Sequence, residues 1–404
     1  PKDLTALILR ENDMNFNSDE FKSLMKIQKN RSKSAINSSN EEWVRLLDSD
    51  QTEFVGYDKL NVVTKLVRYR KSISKKGSNV FQLVFDKTPF YAQGGGQLGD
   101  VGMIESFDNE KIIIYDTVKE NDSIIHIVDS LPKNLSNEFT LIVNEKNRLA
   151  SSSNHTATHL LHEALRSVLG THVQQKGSMV SDKYLRFDFS HFSKLSEKEI
   201  EEVETLVNQK IIDQIPLEEN RSALYKDCIN QGVIALFDEK YGETVRSVKF
   251  GNSHELCGGT HVSNTSQLRS FIISSESAIS TGIRRIEAVS GTEAIKLLFS
   301  QSKTLKKVNS ILLTDKDPVE AINKIKNQST ILNKKLEKVN NELSAFYLQE
   351  IKQKITLIKD LNFCAFELSC DPNILKNLVF KAGKEIENLF LIIKFLRNLS
   401  NYQF

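Results

Sequence analysis

Apolar residues occur in six short β-type runs between residues 51 and 146, and polar turn residues separate the runs. Such runs, bounded by Gly, Asn and Asp, are typical of strands that bury one face. They cover residues 61–69, 80–85, 101–106, 111–115, 123–128 and 139–143. The pattern predicts a mostly antiparallel, β-barrel-like domain over residues 51–146.

Apolar residues three or four positions apart begin near residue 154, and this spacing is typical of an amphipathic helix. Leu160, Leu161, Leu165 and Val168 supply its apolar face, and Gly170 is suited to a left-handed C-cap. Strands are predicted around residues 176–180, 186–189, 244–250, 268–274 and 283–289, and helices over residues 197–213 and from residue 291 onward. Residues 147–298 are therefore predicted to form an α/β domain.

The ends of the chain have helical patterns. Residues 21–33 within segment 1–50 are one case, and several basic residues crowd the end of that pattern. From residue 322 to 346 the apolar positions follow a 3–4 spacing interrupted only at Ser329, so residues 299–355 are predicted to contain a long helix. It is able to form a coiled coil and a homodimer, or to pack back on its own chain. Residues 356–404 resemble a small, truncated α/β piece, and the fold class predicted for the whole chain is α+β.

Composition adds limits on partners and on compartment. Hydrophobic residues at 39% and charged residues at 26% are ordinary for a soluble protein, and a net charge of +2 leaves nucleic-acid contacts to local patches. Four scattered cysteines do not make a disulfide framework and fit a reducing compartment. We find no apolar run near the about 20 residues of a membrane span. The sequence predicts a cytoplasmic protein with no membrane contact.

Two pairs of side chains have the spacing of metal ligands. His155 and His159 are four residues apart, which places both imidazoles on one face of the predicted helix. Cys257 and His261 are also four apart, with two glycines between them that allow a tight loop. Either pair alone occurs by chance, but both in one chain favour a metal site. Three nitrogens and one sulfur suit Zn²⁺.

The ligand set and the role of the metal stay open at this point. His162 is one turn beyond His159, and His254 lies three residues before Cys257, so either could be a ligand or hold one in place. Four protein ligands fill a tetrahedron and would make the zinc structural. Catalysis by the metal needs a fifth position or a labile ligand; otherwise zinc organises the pocket and another group activates water.

These motifs together resemble the editing domain of alanyl-tRNA synthetase. The resemblance rests on the histidine pair, on CGGTH at 257–261, and on four further segments. These are PFYAQGGGQLGD at 89–100, GTHVQQKGS at 170–178, LRFDFSH at 185–191 and GIRRIEA at 282–288. Six motifs in order are far more specific than any one of them. The resemblance covers most of the chain and implies the C-terminal portion of such an enzyme, with residues 1–50 ending its helical tRNA-recognition region.

The resemblance also implies a substrate and several site residues. It implies hydrolysis of seryl or glycyl esters of tRNA(Ala) at the acceptor end, with ATP binding and attachment of alanine reserved for the full enzyme. It places Thr158 and Gln175 near the aminoacyl group and the loop of Gly94, Gly95 and Gly96 at the pocket.

The strand at 283–289 adds a basic candidate for the same pocket. Arg284 and Arg285 alternate faces on the predicted strand, so at most one should point at the cleft. Arg284 is taken as the substrate-binding candidate, and an ordinary surface pair is the alternative.

Two other functions are compatible with the same motifs. One is a free-standing trans-editing aminoacyl-tRNA deacylase. The other is a non-catalytic tRNA-binding module held together by a structural zinc.

Overall fold

The fold is mixed, with helices and sheets, in a computed structural model. The structure describes residues 17, 20–21, 23–25, 27–28, 41–49, 52–74, 77–121, 123–136, 138–235, 241–314 and 317–395. Of the predicted helical pattern at 21–33, residues 21, 23–25 and 27–28 are described and helical, whereas the rest of that pattern and most of segment 1–50 lie outside the described residues. The chain divides into two compact units, one up to Phe299 and one from Ser300 onward.

The elements are numbered here in chain order. The strands are β1 (Val44–Arg45), β2 (Glu53–Phe54), β3 (Asn61–Ile73), β4 (Asn79–Phe85), β5 (Lys87–Thr88), β6 (Gly102–Ser106), β7 (Lys111–Ile114), β8 (Asp116–Glu120), β9 (Ser123–Val128), β10 (Glu138–Val143), β11 (Gln175–Val180), β12 (Leu185–Ser190), β13 (Glu218–Leu224), β14 (Thr244–Phe250), β15 (Ser253–Leu256), β16 (Phe271–Ser280), β17 (Ile283–Ser290), β18 (Thr356–Ile358), β19 (Leu361–Leu368) and β20 (Leu389–Phe395). The helices are α1 (Glu145–Leu169), α2 (Glu197–Ile212), α3 (Tyr225–Asn230), α4 (Gly291–Leu312), α5 (Pro318–Lys354) and α6 (Pro372–Glu385).

The first part of the larger unit, residues 52–143 and here called the β domain, is an antiparallel sheet with the order β7-β6-β10-β3-β4-β9-β8, to which β1 adds beside β3. Each of the six predicted β runs overlaps one of its strands, and only residues 101 and 115 of those runs fall outside the strands. Strand β3 is long enough to pair with β10 through its first half and with β4 through its second half. The large buried side chains of this part of the unit form one apolar core: Leu66, Leu83, Phe85, Phe90, Ile104, Ile112, Ile114, Val128, Phe139, Leu141 and Val143.

The second part of this unit is a four-stranded antiparallel sheet, β11-β12-β17-β16, with helices α1 and α2 packed beside it. Helix α2 begins with a capping box between Ser196 and Glu199, which satisfies backbone groups at its first turn. Apolar residues of α1, α2 and the sheet share one core, which includes Leu160, Leu161, Leu165, Phe187, Phe189, Val203, Val207 and Ile286. A separate small sheet, β13-β14-β15, leads into the segment that carries Cys257.

The predicted starting residue of one strand is wrong. The segment expected as a strand from 268 to 274 begins with a 3₁₀ turn at Thr265–Leu268, and β16 starts only at Phe271. Arg269 has φ +61°, a left-handed conformation that interrupts an extended chain. Strand β13 and helix α3 were not predicted, because β13 is mostly exposed and polar and α3 has six residues.

The smaller unit contains the long helix. Asp317 caps α5 through its side chain and Pro318 occupies the first turn, a common start for a helix. The last part of α5 packs against α6 and β19. Its earlier apolar positions are exposed: Val319, Ile322, Ile325, Leu332, Leu336 and Val339. Among the described helices, none is long and apolar enough to cross a membrane.

Candidate metal centre

Helix α1 brings the first two candidate ligands into the interior of the larger unit. The side chain of Asn144 caps this helix by accepting a hydrogen bond from the backbone N–H of Asn147. One turn separates His155 from His159, both buried, and their ring centroids lie 5.3 Å apart. The helical period therefore aims both imidazoles at one point, as the sequence predicts.

The second pair comes from the loop that follows β15. Gly259 lies against the ring of His155, and a Cβ on Gly259 would stand 2.0 Å from Cε1 of that ring. Only glycine leaves room for the loop to approach the helix this closely. The loop glycine therefore permits a close approach between the two halves of the site.

The four candidate ligands form one cluster. His155, His159, Cys257 and His261 each offer one ligand atom, and these atoms lie within 4.8 Å of one another. The Sγ atom of Cys257 is 3.4 Å from Nε2 of His155 and 3.3 Å from Nε2 of His261. Neither of the alternative ligands, His162 and His254, belongs to this cluster among the residues that the structure describes.

Hydrogen bonds occupy the opposite nitrogen of two of these rings. Nδ1 of His155 lies 2.8 Å from Oε1 of Gln97, and Nδ1 of His261 lies 3.0 Å from Oγ1 of Thr156. Partners at Nδ1 leave each Nε2 directed at the centre of the cluster. Nδ1 of His159 is buried with no hydrogen-bond partner within the described part of the chain, the state that a metal ion relieves.

Burial keeps the imidazoles neutral, which is the form that binds metal. Loss of hydration lowers the pKa of His155 and of His261 well below the usual value, and the neighbouring histidines and Arg246 lower both further. The pKa of His159 is lowered by burial, against an opposing effect of the buried carboxylate of Glu255. The geometry and the charge state of the cluster therefore fit a bound cation.

Backbone carbonyls of the loop are held from outside by two side chains. Nη1 of Arg246 donates to the carbonyl oxygens of Cys257 and Gly259, at 3.0 and 2.7 Å. The hydroxyl of Tyr57 donates to the carbonyl of Gly258 at 2.6 Å, and the guanidinium of Arg246 stacks on the Tyr57 ring. Three successive carbonyls are thus fixed.

Thr158 and Gln175, which the resemblance places near the aminoacyl group, lie outside the cluster. Thr158 is buried, and its hydroxyl donates to the carbonyl of Asn154 in the same helix at 2.8 Å. Gln175 begins β11 and lines a cavity of about 480 Å³ together with His162 and Arg166. Nδ1 of His162 donates to the carboxylate of Glu255 at 2.9 Å, and the buried Nε2 of His162 has no partner within the described part of the chain.

The other candidates are placed in two further positions. The loop of Gly94, Gly95 and Gly96 packs on β11, where a Cβ on Gly96 would stand 2.2 Å from Oγ of Ser178. Arg284 is half-buried and pairs with the carboxylate of Glu276 on the neighbouring strand. Arg284 therefore already has an anionic partner.

Three residues of the site were not singled out from the sequence: Gln97, Arg246 and Tyr57. Gln97 falls inside the glycine-rich segment 89–100, so the motif contained it without showing its role. Nothing local marks Tyr57, which lies 201 residues from the carbonyl that it contacts.

Comparison with known proteins defines the class first. The family model described as "tRNA synthetases class II (A)" matches residues 1–147. The model described as "Threonyl and Alanyl tRNA synthetase second additional domain" matches residues 245–287, which include Cys257 and His261. Parts of the chain thus share sequence with class II aminoacyl-tRNA synthetases and with the additional domain of the threonyl and alanyl enzymes.

Individual relatives narrow the class. The chain is 48% identical over 392 residues to the alanine–tRNA ligase of Christiangramia forsetii, a match covering 97% of this chain and 45% of that protein. It is 41% identical over 402 residues to the alanine–tRNA ligase of Flavobacterium psychrophilum, with the same two coverages. The chain belongs to the alanyl-tRNA synthetase family. It spans about 45% of the length of these curated relatives.

Proposed function

We propose that this chain carries the editing activity of alanyl-tRNA synthetase, the hydrolysis of seryl or glycyl esters of tRNA(Ala). The observation that carries the proposal is the cluster of three imidazoles and one thiol, whose ligand atoms come from two distant segments and lie within 4.8 Å. The longer relatives are named alanine–tRNA ligases, so attachment of alanine, with ATP, is proposed for a full-length enzyme. In that enzyme the chain corresponds to the C-terminal portion.

The ion that fits this donor set is Zn²⁺, held by His155, His159, Cys257 and His261. When bound, Zn²⁺ supplies a Lewis acid that polarises a carbonyl and acidifies water. The residues of the chain hold the site dry and rigid: the imidazoles are buried, and Arg246 with Tyr57 fixes the ligand loop. Arg246 also adds positive charge beside the cluster, which favours an anionic transition state.

Selectivity has to come from a side chain that recognises a hydroxyl. Serine differs from alanine by that group alone, and a buried polar partner left unpaired by alanine costs about 1–3 kcal/mol. Gln175 offers a donor and an acceptor at the wall of its cavity, with Nε2 donating to Oγ of Ser178 at 3.2 Å. The hydroxyl of Thr158 retains its lone pairs after donating to the helix backbone. We assign the selective contact to Gln175, with Thr158 supporting it.

Further features belong to the same proposal. Residues 51–146, which contain the eight-stranded sheet, form a barrel-like domain, and residues 147–298 form the editing domain. The glycine loop 94–96 and Arg284 border the substrate. The long helix within residues 299–355 mediates formation of a homodimer. Residues 356–404 are a partial C-terminal domain, and residues 1–50 are the end of the helical tRNA-recognition region. The acceptor end of tRNA(Ala) is the partner, and the cytoplasm is the compartment.

The test is hydrolysis of purified seryl-, glycyl- and alanyl-tRNA(Ala) by the chain, with zinc content measured in the same samples. We expect about one equivalent of zinc and faster release of serine than of alanine. Cys257→Ala and His159→Ala should lose most zinc and most hydrolysis. His254→Ala is the matched control, because this histidine lies three residues from Cys257 but outside the cluster.

Gln175→Ala and Thr158→Val test the selectivity assignment. Both variants should keep zinc. The ratio of seryl to alanyl hydrolysis should fall by a factor that corresponds to about 1–3 kcal/mol, the free energy that one unpaired polar group costs. Unchanged ratios in both variants would leave the glycine loop 94–96 as the selective element.

The same measurements on the unsubstituted chain separate the alternative functions. Binding of zinc and of tRNA without any hydrolysis would contradict the editing proposal and favour a non-catalytic tRNA-binding module. A free-standing deacylase would also hydrolyse these esters, but it would not be part of a longer synthetase.

A further inference from the structure

One fully buried amide joins the two halves of the metal centre. Gln97 follows the glycine loop of the β domain, and its side chain is 0% exposed. Its backbone is fixed on both sides by β11: the N–H of Leu98 donates to the carbonyl of Val180, and the N–H of Val180 donates to the carbonyl of Gly96. The amide is therefore presented to the cluster from a rigid loop.

Three hydrogen bonds of this amide reach both ligand motifs. Its Oε1 lies 2.8 Å from Nδ1 of His155 and accepts from the backbone N–H of Thr260 at 3.0 Å. Its Nε2 donates to Oγ1 of Thr260 at 2.9 Å. Thr260 stands next to His261 in the ligand loop, so a single side chain touches the helix half and the loop half.

The contact with Thr260 determines which way the amide faces. A backbone N–H can only donate, so the atom of Gln97 that it meets must be the oxygen. That oxygen also meets Nδ1 of His155, and an oxygen acceptor requires Nδ1 to carry the proton. The neutral ring of His155 then has its lone pair on Nε2, the atom that lies 3.4 Å from Sγ of Cys257.

We propose that Gln97 is a positioning residue that selects the metal-binding tautomer of His155 and sets its distance from the Cys257–His261 loop. This inference rests on the metal site of the proposed function and adds a residue outside the ligand set. A partner of this kind at the second ring nitrogen commonly changes metal affinity by about 10–100-fold. The β domain thereby contributes to a metal site whose ligands all lie outside it.

Two substitutions separate the acceptor from the rest of the amide. Gln97→Leu keeps the approximate volume and removes the acceptor, so we expect zinc affinity to fall about 10–100-fold in competition with a chelator. Gln97→Glu keeps an oxygen for Nδ1 of His155 and for the Thr260 N–H, so it should stay within a few-fold of the parent. Gln93→Leu is the matched control, because Gln93 is an exposed residue of the same loop.

A spectroscopic measurement distinguishes positioning from simple stabilisation. With Co²⁺ in place of zinc, Gln97→Leu should shift or weaken the thiolate charge-transfer and d–d bands, whereas Gln97→Glu should restore them. A merely structural role would lower the melting temperature of the metal-free protein and leave these bands unchanged. Parent-like affinity and spectrum in a folded Gln97→Leu variant would overturn the proposal.

The tautomer can also be read in the unsubstituted chain, in which the contacts of Gln97 with His155 and Thr260 are intact. Nitrogen-15 NMR of histidine-labelled, metal-free protein should show His155 protonated at Nδ1, with the signal assigned by its loss in His155→Ala. A proton on Nε2 would overturn the inference. Absence of metal binding by the parent protein is a different outcome, because it would instead contradict the proposed function.

Discussion

Single residues set the charge state of the interior, and His126 shows how. It is fully buried in the β domain between the rings of Phe85 and Phe90. Its Nδ1 lies 3.2 Å from the carbonyl of Leu83, and its Nε2 lies 2.7 Å from the hydroxyl of Thr88. A carbonyl can only accept, so Nδ1 carries the proton of the neutral ring. Burial lowers the pKa of His126 to about 4.

The low pKa of His126 predicts loss of stability in mild acid. The unfolded chain takes up a proton near pH 6.5, whereas the folded chain resists until about 4, so stability is retained above 6.5 and falls between these values. For this group alone the loss at pH 5 is about 2 kcal/mol. Urea unfolding followed by fluorescence of Trp43 measures it, since the chain has one tryptophan and Trp43 stacks on Arg68 and Arg70 of β3.

His126→Gln is the comparison for that titration, because it keeps a donor and an acceptor but does not titrate in this range. Other buried histidines also contribute to the pH dependence, so the informative quantity is the difference in slope between pH 7.5 and 5. Equal slopes for the parent and for His126→Gln would show that His126 is not held neutral by the fold.

At the scale of elements, one buried ion pair joins α1 to the β domain. The guanidinium of Arg148 pairs with Asp100, and it donates to the carbonyls of Gly56 and Pro89, both at 2.6 Å. The two charged side chains are 7% and 5% exposed. Every one of these partners comes from the β domain, while Arg148 lies on the helix that carries His155. The pair therefore sets the position of the metal-binding helix.

Arg148→Met should destabilise the larger unit by about 3–5 kcal/mol, because it leaves a buried carboxylate without its partner. Zinc affinity should fall with it, since α1 carries two of the ligands. Urea unfolding and chelator competition measure the two effects. Lys65→Met is the control: its pair with Glu138 also joins two elements of this unit, but both side chains are more than half exposed. A similar small change in both variants would contradict this assignment.

At the scale of the whole molecule, the smaller unit presents an apolar seam along α5. The exposed side chains of Ile322, Ile325, Leu332, Leu336 and Val339 follow a heptad-like spacing, and each is about half exposed or more. Farther along the helix, Ser344, Leu348 and Ile351 are buried within the same unit. Among the described residues of the smaller unit, the seam is packed only at its C-terminal end, and the exposed remainder supports self-association.

We expect a concentration-dependent dimer in sedimentation experiments. Leu332→Glu with Leu336→Glu should shift the equilibrium toward monomer, because each places a charge in the apolar seam. Lys334→Glu also changes charge, but outside the heptad positions, and should have little effect. A monomer at every accessible concentration would refute the dimer and leave α5 as an arm of its own chain.

The sequence by itself determined the features that depend on neighbouring residues. The six β runs, the long helix after Pro318 and the pairing of His155 with His159 follow from periods of two and of about 3.6 residues. These periods reflect backbone geometry, so they can be found without knowing what each element contacts. The spacing of Cys257 and His261 belongs to the same level, and so does the resemblance to a family.

Only the tertiary structure decided which distant groups complete the site. It left His162 and His254 outside the cluster, and it brought Gln97 to Thr260 across 163 positions of the chain. The start of β16 was mispredicted because the left-handed Arg269 interrupts a run that otherwise has strand character. Contacts of this kind depend on how the glycine loop packs on β11 and how α1 is held by Arg148. No local period encodes them, because the partners lie far apart in the chain and meet only when the larger unit has folded.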